Sequence, residues 1–212
     1  MRCKRKDSAT IVGMFNDITR HRLLEYADRI HFAGRNSLKA LLDSSDLTFS
    51  INSFLELLGH AMLVERARLI RFRKDGTAFI THEWVRSDAI AKLELPTQVA
   101  PEAADWWNAQ LETRGMVSIS NTVEAIVPEA VQDAIKRYEV GAVMAVPASI
   151  NGVIEGFACF ESFKDRVWLP FEIEEAKHVL DGYSRSVERR IEDRNQIAEE
   201  FHVWRLPHPT PD

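Results

Sequence analysis

Apolar positions recur along this chain with two periods, and the switch between them marks its elements. From about Ile18 to Leu42, the positions Leu23, Ala27, Ile30, Gly34, Leu38 and Leu41 are spaced by threes and fours. That spacing predicts an amphipathic helix, with Arg20, Arg22, Glu25, Asp28 and Arg35 mainly on its other faces. Gly34 weakens it by roughly 1 kcal/mol relative to alanine. Asp43-Ser44-Ser45-Asp46 breaks the pattern, and a second helix follows from about Ile51 to Val64, with Phe54, Leu57, Leu58, Ala61 and Met62 on one face. Ahead of both helices, Ala9 to Phe15 reads as a β-type run closed by Asn16-Asp17, a turn or capping signal.

The period then shortens. Ala67 to Phe72 and Thr77 to Val85 flank Lys74-Asp75-Gly76, a strong hairpin signal. Arg86 to Glu139 is a long mixed excursion. It predicts a helix over Glu102 to Leu111 that begins at Pro101 and ends at Gly115, a short strand over Met116 to Ile119, and a helix from Pro128 through Tyr138. Two apolar strands follow, Val140 to Pro147 and Val153 to Phe163, joined through Ala148 to Gly152 with Asn-Gly at the turn. The first is apolar without alternation, as a strand covered on both faces should be. A final helix runs from about Pro170 to Glu200, with Ala176, Val179, Tyr183, Val187 and Ile191 in its stripe. Its second half is too polar for a core, so a partner helix is the expected cover. The tail from Trp204 to Asp212 contains three prolines and is expected to fray. The order predicts an α+β domain on an antiparallel sheet, with helices on both faces and long terminal helices.

Composition narrows the function classes. Net charge is −5 with both signs interspersed, and the one basic cluster is Arg2, Lys4, Arg5 and Lys6, which argues against nucleic acid as a partner. No apolar run approaches the roughly 18 residues of a membrane span. Two cysteines, Cys3 and Cys159, are too few for a disulfide framework or a zinc site. A cytoplasmic, reducing location is the expectation.

Four segments, in this order, resemble the GAF family over about Ser50 to Arg189. They are His82-Glu83-Trp84 at a strand end; Trp106-Trp107 with Pro128 in the excursion; Val143 to Pro147 followed by Gly152, Gly156 and Phe157; and Trp168 with Glu172-Ile173 opening the last helix. Ile11 to Thr19 also looks like the last strand and exit motif of a PAS domain. The implied organisation is a PAS remnant over 1–16, a signalling helix over 17–49, a GAF domain over 50–190, and a helical extension with frayed tail over 191–212.

The resemblance implies a non-catalytic sensor module of a signalling protein. Its small-molecule cavity would lie between one sheet face and the excursion, walled by Phe79, His82, Trp84, Trp106, Trp107, Tyr138, Met144 and Phe160. The same aromatics would serve equally well as a filled core, and alternation leaves the strand choices open by one position. The terminal helices, through Leu23, Ala27, Ile30, Leu41, Tyr183, Val187 and Ile191, would pair two copies into a homodimer. An output domain, a kinase or a cyclic-dinucleotide enzyme, would belong to the full-length protein. The alternatives are a purely structural dimerisation module and, more weakly, a methionine-sulfoxide reductase.

Chemistry adds little. Cys159 reads as a small buried hydrophobe or a redox thiol. Bilin-binding relatives attach pigment through a cysteine in the excursion, where residues 86–139 have none. His82, His60 and His178 show no ligand spacing. Cyclic-nucleotide-binding relatives carry Phe-x3-Asp-Glu, whereas Phe171 precedes Glu174-Glu175 one residue too early. Glu83 and Glu161 lie on strands, and nothing in the sequence pairs them with a base. No catalytic residue, metal or cofactor is assigned.

Overall fold

The computed structural model describes residues 8–86 and 98–204. The basic cluster at 2–6, Cys3 and the tail beyond 204 lie outside the described residues. The elements run α1 (Ser8–Asp43), α2 (Leu47–Met62), β1 (Arg66–Phe72), β2 (Ala78–Val85), β3 (Gln98–Val99), α3 (Pro101–Arg114), β4 (Val117–Ile119), α4 (Glu129–Arg137), β5 (Ala142–Ile150), β6 (Val153–Ser162) and α5 (Pro170–Trp204). The sheet order is β3-β2-β1-β6-β5-β4, with every neighbouring pair antiparallel. The expected α+β architecture holds.

Local chemistry sets the boundaries. Asp46 caps α2 by accepting the Phe49 N–H at 3.1 Å. The β5–β6 hairpin turns on Asn151 and Gly152 alone, at φ 51° and 78°, the two left-handed positions of a type I′ turn. Ser149 and Ile150, expected in a five-residue loop, instead pair with Ile154 and Val153.

The sheet separates two apolar cores. On one face α1, α2 and α5 close over Phe54, Leu58, Leu69, Met144, Phe160 and Leu180. On the other, α3 and α4 cover Ile70, Trp107, Leu111, Val131, Val143 and Phe157. Burial on both faces accounts for the unbroken apolar run of β5.

α1 and α5 pack side by side and run parallel. Tyr26 meets Glu172, His31 Nδ1 lies 2.5 Å from Glu175 Oε2, Ser186 Oγ donates to the Leu41 carbonyl at 2.8 Å, and Arg190 donates to the Ser45 carbonyl at 2.7 Å. Gly34, which costs helix propensity, earns its place by packing. A β-carbon there would overlap the Glu175 carboxylate, and one at Gly182 would overlap Leu38.

Two expectations change. The run 9–15, read as a strand, belongs to α1. A lone strand has no neighbour for its hydrogen bonds, whereas a helix satisfies them internally. The stripe on the terminal helices is also largely packed within this single chain. Ile30, Leu41 and Tyr183 are buried there, Ala27 and Val187 are half-buried, and Leu23 and Ile191 stay exposed at 46% and 42%.

Candidate ligand pocket

On the α3/α4 side, β1 and β6 turn four polar side chains inward at spacings of two. Arg66 and Arg68 project from β1, and Cys159 and Glu161 from β6. Arg66 Nε donates to Glu161 Oε2 at 2.6 Å, and Arg66 Nη2 donates to the Tyr138 carbonyl at 2.9 Å. Arg68 Nε donates to Glu83 Oε2 at 2.6 Å, and its Nη1 reaches Glu161 Oε1 at 3.4 Å. Glu83 and Glu161 therefore do have cationic partners. The side chains of Arg66, Arg68 and Glu161 are 1%, 2% and 7% exposed, while Glu83 is 35% exposed at the rim. Among the described residues, Arg68 Nη2 is buried with no hydrogen-bond partner. The guanidinium also sits 4.4 Å from the ring centre of Tyr138.

Burial opposes the charge on Arg68, but the Glu161 carboxylate, helped by Glu83, outweighs it and raises the guanidinium pKa above its ordinary value. Burial, and then Glu161, pushes the Cys159 thiol well above the ordinary range. Its Sγ lies 3.4 Å from Glu161 Oε1, so the thiol stays protonated and donates.

This polar floor opens into an apolar cavity of about 60 Å³, walled by Ile70, Ile80, Trp107, Val131, Val143 and Phe157, with Arg68, Tyr138, Cys159 and Glu161 at one end. Trp107 stacks on Phe157 with ring centres 5.4 Å apart. A second chamber of about 210 Å³ lies between the start of α3 and α4, and shares Val99, Ala103, Ala134 and Tyr138 with the first. Among the described residues no three His, Cys, Asp or Glu side chains gather as a metal set.

No family model matches the chain, and no curated protein sequence matches it significantly. Solved structures do. The phycoerythrobilin-bound GAF domain of a cyanobacterial phytochrome superposes with a TM-score of 0.68 at 10% identity, covering 78% of this chain and 98% of that one. The GAF domain of PixJ from Thermosynechococcus elongatus gives 0.64 at 15%, covering 79% and 94%. The fold is GAF-like. A domain assigned to a two-component sensor histidine kinase of Sinorhizobium meliloti also superposes, at 0.56 and 16% identity, covering 72% and 99%.

Within this GAF-like frame, the expected pocket residues divide by sheet face. Trp107 and Tyr138 line the cavity, and Trp106 stands edge-on to Trp107 with ring centres 4.9 Å apart. Met144 and Phe160 point into the opposite core, and Trp84 packs on α2 at Gly59 and His60. His82 and Phe79 pair with Leu69 and Arg71 and so share that opposite face. A bulge at Thr81 underlies the β2 placement, because Leu69 pairs with His82 but Ile70 with Ile80. Arg68, Ile70, Ile80, Val143, Phe157, Cys159 and Glu161 are among the strand residues lining the cavity that alternation did not single out. A signal was present: Arg66 and Arg68 stand two apart at the start of a strand whose next residues, Leu69 and Ile70, are apolar, so both face one way.

Proposed function

We propose that this GAF-like domain is a non-catalytic sensor module that binds a small molecule in the α3/α4 cavity and relays occupancy through α1 and α5. The carrying observation is the cavity itself, apolar walls converging on buried polar groups, the usual character of a ligand site. The roof formed by α3 and α4 lies across the sheet from the helices that leave the domain. A ligand that prefers one roof position shifts those helices only through that preference, and such coupling is typically about 1–3 kcal/mol.

The chromophore-bound neighbours suggest pigments, but the inner chamber is far below the ~300–1,000 Å³ of drug-sized sites. A smaller ligand, entering by displacement of α4, fits better. The small volume also supports a second reading, in which the domain is a structural dimerisation module with its cavity closed by Trp107 and Phe157.

A metabolite library screened by thermal shift separates the two. The sensor reading expects stabilising compounds whose effect disappears in Ala134→Phe, a variant that fills the shared wall. A library in which nothing raises Tm would leave the structural module standing.

A further inference from the structure

We infer that the ligand is a small monocarboxylate with an apolar body, its carboxylate held by Arg68. This rests on the cavity being the ligand site, and it specifies the chemistry of that site.

Three observations converge. Arg68 lines the cavity, and its Nη2 is buried and lacks a hydrogen-bond partner among the described residues. A buried donor left unpaired costs stability, so an acceptor arriving in the cavity gains what the empty state forfeits. Charge points the same way. Among the described residues of this cluster, the buried charges are two guanidiniums, Arg66 and Arg68, against one carboxylate, Glu161, because Glu83 is 35% exposed. An added anion balances this buried set, whereas an added cation would not. A charged acceptor also makes a stronger bond to guanidinium than a neutral carbonyl does.

Shape supplies the rest. The inner chamber, at about 60 Å³, is smaller than the ~150 Å³ apolar cavity that holds benzene, so it suits a carboxylate and little else. The apolar body belongs in the outer chamber, among Val99, Ala103, Ala130 and Ala134. Tyr138 lines both chambers and stacks on Arg68, so a molecule with its head on Arg68 extends past this ring toward α4. Nothing covalent is involved. The ligand enters ionised, and Cys159 keeps its proton.

The test titrates the full chain by calorimetry with two matched pairs, 3-phenylpropionate against 3-phenylpropionamide and hexanoate against hexanamide. The acids are expected to bind about tenfold or more tightly than the amides, the worth of exchanging a neutral for a charge-assisted bond. Arg68→Gln, checked for folding by circular dichroism, should remove the preference and leave amide affinity within a few-fold. If that variant does not fold, the acid–amide ratio of the unaltered protein still decides the matter. Ala134→Phe should abolish binding of both members of each pair. Equal affinity for acid and amide, lost in Ala134→Phe, would overturn the carboxylate assignment and leave the cavity as the ligand site. Stabilisation by other library compounds with neither acid bound would do the same. Acid binding unaffected by Ala134→Phe would remove the cavity and the carboxylate assignment together.

Discussion

Tyr26, midway along α1, donates its hydroxyl proton to Glu172 in the first turn of α5, joining residues 146 apart in sequence. Glu172 is fully buried and also holds the Arg166 guanidinium and the Leu169 N–H. Phe at position 26 keeps the edge contact with Phe171 but takes one donor from a buried carboxylate. Tyr26→Phe is therefore expected to lower stability by about 1–2 kcal/mol, several degrees in Tm. Calorimetry giving an unchanged Tm would mean the hydroxyl contributes nothing to the α1–α5 junction.

All three tyrosines should resist ionisation in the folded protein. Burial, with Glu172 adding its hydrogen bond and charge, lifts Tyr26 to about 12. Burial also raises Tyr138, against the opposing pull of Arg68 and Arg137, and raises Tyr183. The folded state thus keeps protons that the unfolded chain releases near pH 10. Stability from these groups is complete below pH 10 and is lost as pH climbs toward 12. Tyrosinate absorbance should rise together with the loss of near-ultraviolet dichroism. A normal titration near pH 10 in protein that remains folded contradicts the burial of these rings.

Cys159 should be inert to alkylation until the domain unfolds, because its thiol is buried and held protonated. Iodoacetamide followed by peptide mass spectrometry reads this site separately from Cys3. Rapid labelling under native conditions would place the thiol in solvent, in conflict with the cavity floor described above.

Leu23 and Ile191 are the stripe residues that stay exposed on α1 and α5, and under the proposed dimer they would meet a second copy of the chain. Ile191→Asp is expected to turn a dimer into a monomer with Tm of the folded body little changed, since residue 191 contacts solvent. Light scattering that finds the unaltered chain monomeric at tens of micromolar disposes of the dimer.

Element order was legible because amphipathic helices and hairpin turns announce themselves in residue spacing. Face assignment was harder, and the reasons are specific. Val143, Met144, Ala145 and Val146 are all apolar, so β5 offers no alternation from which to tell cavity from core. In β2 the bulge at Thr81 shifts the phase, placing Ile80 toward the cavity, and His82 and Trp84 on the opposite face, where Trp84 packs on α2. The pairing of Arg68 with both Glu83 and Glu161 depends on β1 lying between β2 and β6, an adjacency no local pattern encodes. The 9–15 run shows the converse limit. β-branched residues lower helix propensity only slightly, and the continuing helix prevails.

Because α1 and α5 lie alongside one another with the same polarity, the chain enters the domain at one pole and leaves at the other. The close Gly34–Glu175 and Leu38–Gly182 crossings couple the two rods, so that under the proposed sensor role a slide or roll of one would be felt by the other. Under the sensor reading proposed above, the entering helix and the leaving helix would form one continuous rail through the domain.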